Sequence, residues 1–288
     1  MRLSTKLTNL GIFAAAMAAA TTARAESELP PLEVRGAPEP GGTGLHNPVT
    51  TVARDIGWLD DMLLVIITLI TIFVLGLMLY VMVRYNRRAN PTPAKFTHYT
   101  PIEVIWTVIP VLILVFIGIF SVPILFKEQV IPDSDVTIKT TGYQWYWGYE
   151  YPDEGISFQS FMLERDELEE HGYDDSTYLL ATDTAMVIPT NRVVQLQVTA
   201  SDVIHSWTIP AFGVKQDGVP GRLGEAWFEV EEEGIYFGQC SEICGINHAY
   251  MPITVKAVSP EEYEAWVERQ GGDATASLDD DLSVAAAD

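Results

Sequence analysis

The sequence predicts a transmembrane α-helical hairpin followed by an all-β sandwich, and three observations lead to this fold class. Two long, uncharged apolar runs, Met62 to Val83 and Ile105 to Phe126, lie in the first half of the chain. Short segments that alternate apolar and polar residues fill the acidic second half. The chain is 48% hydrophobic yet carries a formal net charge of -22, so its apolar residues must be concentrated in one region.

The N-terminus resembles a secretory signal peptide that ends at Ala25. Arg2 and Lys6 precede a short apolar stretch, and Ala23-Arg24-Ala25 has the small-x-small form of a cleavage site. A cytosolic helix with an alanine-rich face is the alternative. We predict a signal peptide over residues 1–25, followed over residues 26–57 by an irregular surface arm rich in Pro and Gly.

The two apolar runs predict a membrane hairpin over residues 58–127. At 1.5 Å per residue each run spans about 33 Å, which is enough to cross the hydrocarbon core of a bilayer. Basic residues in a short connecting loop mark the cytoplasmic side of a membrane. The basic residues of this loop are Arg84, Arg87, Arg88 and Lys95. Both termini and the β-domain are therefore predicted to lie outside the cytoplasm.

Glu103 is an acidic residue at the start of the second apolar run, and it has two interpretations. An acidic side chain in a first helical turn is stabilised by the positive end of the helix dipole. An ionisable group at the end of a membrane segment can also mark a proton path. The residues alone favour the first interpretation.

The extramembrane domain is predicted to span residues 128–272 and to consist of short strands. The segments with strand periodicity are Val136 to Thr140, Val193 to Val198, Ala226 to Val230, Gly234 to Gly238 and Ile253 to Val255. We expect an antiparallel sandwich, with the third and fourth segments paired as a hairpin.

One helix is predicted near the C-terminus. Ser259 is a suitable N-cap, Pro260 fits the first turn, Glu262 completes a capping box and Gly271 ends the helix. Tyr263, Trp266 and Val267 form its apolar side. The acidic, Ala- and Ser-rich residues 273–288 are predicted to be a mobile tail.

An aromatic stretch, Gln144 to Tyr151, has more large rings than one core face needs. If the stretch is a strand, Trp145, Trp147, Tyr149 and Tyr151 share one face and Tyr146 points the other way. Most of these rings are expected in the core. One or two are candidates for partner contacts or for an electron path.

Acidic clusters occur at Glu164 to Glu170, Glu231 to Glu233 and Asp279 to Asp281. Solubility alone accounts for scattered acidic residues. A field of this sign also attracts basic partners and raises their association rate, and it excludes nucleic acid as a partner.

Four soft or borderline metal donors lie within twelve residues: Cys240, Cys244, His248 and Met251. A disulfide between the two cysteines is the alternative. Such a bridge would close a very short loop and constrain the unfolded chain little, and it would need neither His248 nor Met251. A further histidine, His205, follows a strand-like segment, where a ligand at a strand end is expected.

This donor set favours copper over zinc. Structural zinc takes Cys and His ligands and has little use for methionine, whereas thiolate, imidazole and a weak thioether suit electron-transfer copper. A mononuclear blue site needs one cysteine, and this chain offers two. Two thiolates can bridge two copper ions, with Met251 and a backbone carbonyl, that of Glu242, as the weak ligands. Such a site has no open position for a substrate, which favours electron transfer.

The chain resembles cytochrome c oxidase subunit 2 of the bacterial haem-copper type. The motifs that carry the resemblance are Gln144-Trp145-Tyr146-Trp147, His205-Ser206-Trp207, Asp217 to Arg222 and Cys240 to Met251, together with the hairpin. The resemblance implies a cupredoxin-like Greek-key sandwich that bears a binuclear CuA centre. It implies electron transfer from cytochrome c to haem a of subunit 1, for oxygen reduction coupled to proton pumping.

The resemblance also implies roles for individual residues. The implied copper ligands are His205, Cys240, the carbonyl of Glu242, Cys244, His248 and Met251. The Glu242 side chain would face a magnesium or manganese ion shared with subunit 1. Electrons would enter at Trp145, Glu103 would lie at the entrance of a proton path, and Glu150, Asp153 and Asp202 would dock cytochrome c.

The implied partners are subunit 1, other oxidase subunits, cytochrome c and membrane lipid, and the implied location is the bacterial inner membrane with the CuA domain in the periplasm. Residues 163–183 resemble an acidic insertion. The chain has no Cys-x-x-Cys-His motif for haem c, and it has the copper ligands that subunit 2 of quinol oxidases lacks. A membrane-anchored copper-delivery or storage protein is the alternative, although such a protein needs a more exposed, labile site.

Overall fold

The computed structural model describes residues 29–271, which divide into two compact units. One unit comprises Asp55–Lys127, and the other comprises the described residues up to Arg54 and from Glu128 onward. The predicted signal peptide, residues 1–25, and the predicted acidic tail, residues 273–288, lie outside the described residues.

Two long helices form the hairpin. Helix α1 spans Thr51–Arg84 and helix α2 spans Thr100–Gln129, so both extend beyond the apolar runs that predicted them. Each is long and apolar enough to cross a membrane, with a mean hydropathy of 3.0 and 2.9 in its most apolar window. Within the hairpin, the rings of Trp58 and Phe120 meet edge to face with centroids 5.4 Å apart.

The β-domain contains a strand at each of the five segments that the alternation predicts, and further strands that it did not predict. Its strands are β1 Val34–Gly36, β2 Val136–Tyr143, β3 Tyr146–Tyr151, β4 Ile156–Ser160, β5 Met186–Pro189, β6 Val193–Ala200, β7 His205–Ile209, β8 Val214–Gly218, β9 Gly224–Glu229, β10 Gly234–Gln239 and β11 Pro252–Val258. One sheet has the order β4-β3-β2-β6-β9, the other has the order β1-β10-β11-β5, and β7 pairs with β8.

Two expectations about strand pairing are wrong. Both sheets are mixed rather than antiparallel, because β2 and β6, β5 and β11, and β1 and β10 run parallel. The segments Ala226 to Val230 and Gly234 to Gly238 do not form a hairpin: β9 pairs with β6 in one sheet, and β10 pairs with β11 in the other. Alternation identifies a strand but carries no information about its partner, and here the chain crosses between the two sheets through Glu231 to Glu233.

The core lies between the two sheets. On β6 the residues Val194, Leu196 and Val198 are buried, while Gln195 and Gln197 alternate with them on the more exposed face. On β3 the rings of Trp147, Tyr149 and Tyr151 are fully buried, as their spacing predicted. Trp145 differs, because it lies in the turn that precedes β3 and not in the strand.

The segment before the hairpin is more ordered than the predicted irregular arm. It contains β1, where a methyl group on Gly36 would lie 2.7 Å from Cδ1 of Tyr236, so only glycine fits against this ring. The amide of Val49 donates to the carbonyl of Ala211 at 3.1 Å. Thr50 caps α1, because its Oγ1 accepts from the amide of Ala53 at 3.0 Å.

Helix α3 spans Pro260–Arg269 and packs as predicted. The Ser259 side chain accepts a hydrogen bond from the amide of Glu262 at 3.2 Å. Gly271, with φ +78°, follows the C-cap residue. The buried side chains of the helix are Tyr263, Trp266 and Val267.

The acidic insertion, residues 163–183, has a small apolar cluster of its own. Its members are Leu163, Leu168, Tyr173, Ala181, Ile235 and Phe237, so the insertion is anchored on β10. On its surface the guanidinium of Arg165 lies 4.2 Å from the ring centre of Tyr178 and pairs with Asp175.

Candidate metal centre

The loop after β10 brings both cysteines and a distant histidine together. The ligand atoms of His205, Cys240 and Cys244 all lie within 4.8 Å of one another, and all three residues are buried. The two Sγ atoms are 3.8 Å apart, which is well beyond the roughly 2.05 Å of a disulfide bond. Both thiols are free.

His248 and the backbone of Glu242 complete the surroundings of the two thiols. The Nδ1 atom of His248 is 3.6 Å from Sγ of Cys244, and the carbonyl oxygen of Glu242 is 3.3 Å from Sγ of Cys240. Met251 is buried at the end of the loop, where its carbonyl accepts from the amide of Cys240 at 3.1 Å. The six predicted copper ligands therefore belong to one compact loop and the strand end beside it.

His205 is the first residue of β7, and its ring is fixed from two sides. Its Nε2 is 2.8 Å from Oδ1 of Asp202, which leaves Nδ1 directed at Sγ of Cys240, 3.9 Å away. A methyl group on Gly142 would lie 2.8 Å from Cδ2 of the ring, so the backbone of β2 packs directly against the imidazole. A hydrogen-bonded carboxylate fixes the tautomer and the orientation of a histidine ligand.

The pKa values of the cluster are shifted in different directions: that of Cys240 is lowered, and those of Cys244 and His205 are raised. Burial raises the pKa of both thiols, but at Cys240 the contact with His205 and backbone hydrogen bonds outweigh burial, so its pKa lies below the ordinary value. Burial and the neighbouring Cys240 raise the pKa of Cys244. Burial lowers the pKa of His205, but Cys240 and Asp202 raise it above 6.5 overall. Metal binding must displace these protons, because thiolate and neutral imidazole are the binding forms.

The donor chemistry of this loop fits copper. Two thiols, two imidazole nitrogens and a thioether are soft and borderline donors, which copper prefers to the hard oxygen donors that magnesium and calcium bind. The backbone carbonyl of Glu242 is a hard donor and would serve only as a weak ligand beside them. The thiols are buried between the ends of β7 and β10, so water is largely excluded from them. Two thiols at 3.8 Å are close enough for both to serve the same pair of metal ions.

The turn before β3 is attached to this loop. The side-chain amide of Gln144 donates to the carbonyl of Cys244 at 2.8 Å. The half-buried ring of Trp145 packs on Gly245, where a methyl group would lie 3.0 Å from Cζ2. Sequence reasoning singled out Trp145 through the resemblance but missed the Gln144 contact, since no spacing rule links residues so far apart.

The predicted docking residues occupy different environments. Glu150 and Asp153 are exposed on β3 and the turn after it, and Glu150 pairs with Lys139. The Asp202 carboxylate also accepts from the amides of Gln144 and Val203 at 2.8 and 2.7 Å. Asp202 therefore positions His205 as well as contributing charge. Its place three residues before His205 was the signal that sequence reasoning did not use.

The two remaining predicted site residues are Glu242 and Glu103. The Glu242 side chain is half-buried within the loop. Glu103 lies in the first turn of α2, in the hairpin unit, where its Oε1 accepts from the amide of Tyr99 at 3.0 Å. This position and this bond agree with the interpretation that Glu103 stabilises the positive end of the helix, and they leave the proton-path interpretation open.

Comparisons with known proteins cover nearly the whole chain. The family described as cytochrome c oxidase subunit II, periplasmic domain, matches residues 136–258, and its transmembrane domain matches residues 38–124. A cytochrome c oxidase subunit 2 from Cereibacter sphaeroides is 56% identical over 286 residues, which is 94% of each chain. A probable cytochrome c oxidase subunit 2 from Rickettsia bellii is 47% identical over 231 residues, covering 80% of this chain and 84% of the relative.

A solved structure of the periplasmic domain of subunit II of cytochrome oxidase from Bradyrhizobium japonicum is also similar. It is 45% identical, with a TM-score of 0.44, and the match covers 49% of this chain and 97% of that chain.

Proposed function

The chain belongs to the cytochrome c oxidase subunit II family, and from that premise we propose which of its residues hold copper and pass electrons. As a member it is a membrane-anchored subunit of a haem-copper oxidoreductase, with a cupredoxin-like domain of the CuA type. Family membership decides against the alternative of a copper-delivery or storage protein. The observation that carries the residue assignment is the pair of buried thiols 3.8 Å apart beside His205.

The copper ligands in this proposal are all in the loop and strand end described above. They are His205, Cys240, the carbonyl of Glu242, Cys244, His248 and Met251. When bound, the binuclear centre supplies a site that takes up and releases one electron at a time. The chain's own residues keep that site dry and rigid: Asp202 holds the Nε2 side of His205, and Gly142 lets β2 close over the ring.

Electrons enter at Trp145 in this proposal. Trp145 lies in the turn before β3 and its half-buried ring packs on Gly245, so it connects the surface to the loop that contains the thiols. The hydrogen bond from Gln144 to the carbonyl of Cys244 holds the turn against the loop.

Cytochrome c docks on the acidic side of this turn in the same proposal. Glu150 and Asp153 are exposed, and Asp202 retains a partly exposed carboxylate beside Gln144. A chain with a net charge of -22 attracts a basic partner from a distance, and these acidic residues would orient it near Trp145.

Two further roles concern subunit 1. We assign the Glu242 side chain to a magnesium or manganese ion at the interface with subunit 1, because its carbonyl faces Cys240 while its carboxylate remains half-exposed. We assign Glu103 to the entrance of a proton path, since it is an ionisable group at the end of a membrane helix.

The membrane orientation has independent support from strand pairing. Strand β1 precedes the hairpin and β10 follows it, yet Val34 pairs with Ile235 in one sheet. The two flanks of the hairpin must therefore be on the same side of the bilayer. Together with the basic loop between the helices, this favours a periplasmic copper domain and lipid contact along both helices.

Copper spectroscopy on the full chain in detergent tests the ligand assignment. We expect two copper ions per chain and an electron paramagnetic resonance signal from one unpaired electron shared by both. Met251→Leu should alter this signal, because it removes the thioether. Met186→Leu, the same change at a buried residue of β5, should leave it unchanged. A single copper ion, or a copper(I)-only state, would contradict the assignment.

Replacement of Trp145 by Phe tests the electron path. With the assembled oxidase and cytochrome c, we expect the rate of copper reduction to fall about tenfold, which corresponds to about 1.4 kcal/mol in the barrier. The copper spectrum should not change, because the ring contacts the loop but is not a ligand. Stopped-flow reduction measures the rate, and an unchanged rate would assign electron entrance to another residue.

A further inference from the structure

The outer face of β2, β3 and β4 contains an open cleft that the electron path does not use. Its volume is about 320 Å³. Gly148 forms the floor, Tyr143 and Glu150 lie at its two ends along the strands, and Ser157 and Gln159 of β4 line one side. Thr141, Gly148 and Gln159 are direct neighbours across the three strands.

The absence of a side chain at Gly148 creates the cleft. On β3 the residues Trp147, Tyr149 and Tyr151 point into the core, so Tyr146, Gly148 and Glu150 share the outer face. A methyl group on Gly148 would lie 3.2 Å from Cε2 of Tyr143, which shows that the tyrosine ring leans over the glycine. The result is a depression between an aromatic ring and a carboxylate.

The Glu150 carboxylate already binds an ammonium group of the chain itself. The Nζ atom of Lys139 on β2 is 2.9 Å from Oε1 and 3.1 Å from Oε2, so both oxygens share it. The pair is accessible, with side-chain exposures of 33% for Lys139 and 48% for Glu150. An exposed ion pair of this kind is held weakly and can exchange partners.

We propose that this cleft receives a lysine side chain of the basic redox partner, and that Lys139 competes with that lysine for Glu150. The proposal rests on the docking of cytochrome c described above. An incoming ammonium would bind the Glu150 carboxylate, and the face of the Tyr143 ring, which leans over Gly148, would attract the same cation. Lys139 would then be an internal competitor that weakens docking.

The cleft lies beside the turn at which electrons are proposed to enter. The ring of Tyr143 stacks on that of Tyr146, with centroids 4.8 Å apart and planes within 4°. Tyr143 and Tyr146 flank the turn that contains Trp145. A lysine held in the cleft would therefore fix the partner's orientation close to the residue through which electrons enter.

Lys139→Met in the complete oxidase tests the competition. The Michaelis constant for cytochrome c would be measured at an ionic strength of about 0.01 M, where charges interact over about 30 Å. We expect the constant to fall about two- to fivefold, the range that corresponds to a surface ion pair. The maximal rate and the copper spectrum should be unchanged, since Lys139 is outside the metal centre.

Lys215→Met is the matched control. Lys215 on β8 also pairs with a carboxylate, Asp217, at 2.7 Å, and its removal changes the net charge by the same amount. Its partner Asp217 does not line the cleft, whereas Glu150 does, so the effect of Lys215→Met should be clearly smaller than that of Lys139→Met. In a Glu150→Gln background, Lys139→Met should lose most of its effect, because the contested carboxylate is gone.

The possible outcomes distinguish failure of docking through acidic residues from failure of the lysine site in the cleft. If the wild-type constant does not depend on ionic strength, docking through acidic residues is wrong, and the cleft with it. If the constant depends on ionic strength but Lys139→Met behaves like Lys215→Met, docking stands and the cleft is not a lysine site. A constant that rises in Lys139→Met would overturn the competition directly.

Discussion

At the scale of the residue, two small features determine where His205 points. The Asp202 carboxylate forms a hydrogen bond with Nε2 of His205, and the absence of a side chain at Gly142 leaves room for the imidazole ring. Neither residue is a copper ligand in the proposed site. A ligand that is positioned in this way before metal arrives loses little conformational freedom on binding, which favours both affinity and a small change of geometry during electron transfer.

Gly142→Ala tests this positioning. The new methyl group would lie 2.8 Å from Cδ2 of His205, so the ring must leave its present position beside Cys240 or β2 must shift. We expect copper affinity to fall about 10- to 100-fold, as is typical when the support of a ligand is lost. Competition with a copper chelator measures the affinity.

Gly44→Ala is the control for that experiment, because nothing lies within 4 Å of the added methyl group at Gly44. An unchanged copper affinity in Gly142→Ala would show that the close packing of β2 on His205 has no influence on the site.

At the scale of the element, a buried hydrogen bond ties α3 to the turn between β3 and β4. The hydroxyl of Tyr263 donates to Oε1 of Glu154 at 2.9 Å, and Glu154 is only 5% exposed. Burial raises the pKa of Glu154 above 4.5, and the bond from Tyr263 offsets part of this rise. The folded state therefore binds this proton more tightly than the unfolded state does.

The stability contributed by the Glu154 proton should decline as pH rises. It is fully present below pH 4.5 and is lost as pH rises through the raised pKa, because the folded state then has to hold a buried charge. We expect the difference in Tm between Glu154→Gln and wild type to become more positive as pH rises above about 4.5. A stability difference of about 1 kcal/mol corresponds to about 2–4 °C in Tm.

Thermal unfolding of the full chain in detergent, followed by circular dichroism, measures this difference. Glu164→Gln on the surface of the acidic insertion is the control and should show no such trend. A pH-independent difference for Glu154→Gln would mean that Glu154 titrates normally.

Helices and strands were predictable from the sequence where a local residue pattern encodes them, whereas the pairing of the strands was not. The apolar-polar alternation of β6 and the N-cap of α3 each depend on residues that are close together in sequence. The bounds of both elements were therefore predicted to within a few residues. Strand β1 has three residues and no periodicity, and its partner β10 lies far along the chain. The separation of β9 and β10 into different sheets likewise depends on packing that no local pattern reports.

The metal loop was more predictable than the fold around it, because its donors are close in sequence and their chemistry is restrictive. Cys240 to Met251 alone specified a soft-metal site. The residues that position the ligands were not predicted. Gly142 and Gln144 contact the site only through tertiary structure, and Asp202 was assigned a docking role only.

At the scale of the whole molecule, charge and hydrophobicity are divided between the two units. The helices of the hairpin present apolar side chains, and the acidic residues that give the net charge of -22 are concentrated in the β-domain. If cytochrome c docks as proposed, its long-range attraction is a property of the domain as a whole, whereas its orientation would depend on a few residues near Trp145.

Rising ionic strength should weaken docking of cytochrome c. At about 0.15 M the Debye length is about 8 Å, so only the nearest acidic residues still act on the partner. We expect the Michaelis constant for cytochrome c to increase steadily with salt, as steady-state oxidation would measure. A small uncharged reductant serves as the control, and its oxidation should not depend on salt in this way.

The pairing of β1 with β10 has a consequence for the order in which the protein is made. Val34 leaves the ribosome long before Ile235, its neighbour in the finished sheet. In between, the chain must cross the membrane and return. The first strand therefore waits without its partner until the hairpin is inserted, and Glu231, which binds Arg54 at the start of α1, arrives only then. Completion of the β-domain is thus coupled to the hairpin, because a chain in which only one of the two helices crosses leaves β1 and β10 on opposite sides of the membrane and cannot close its sheet.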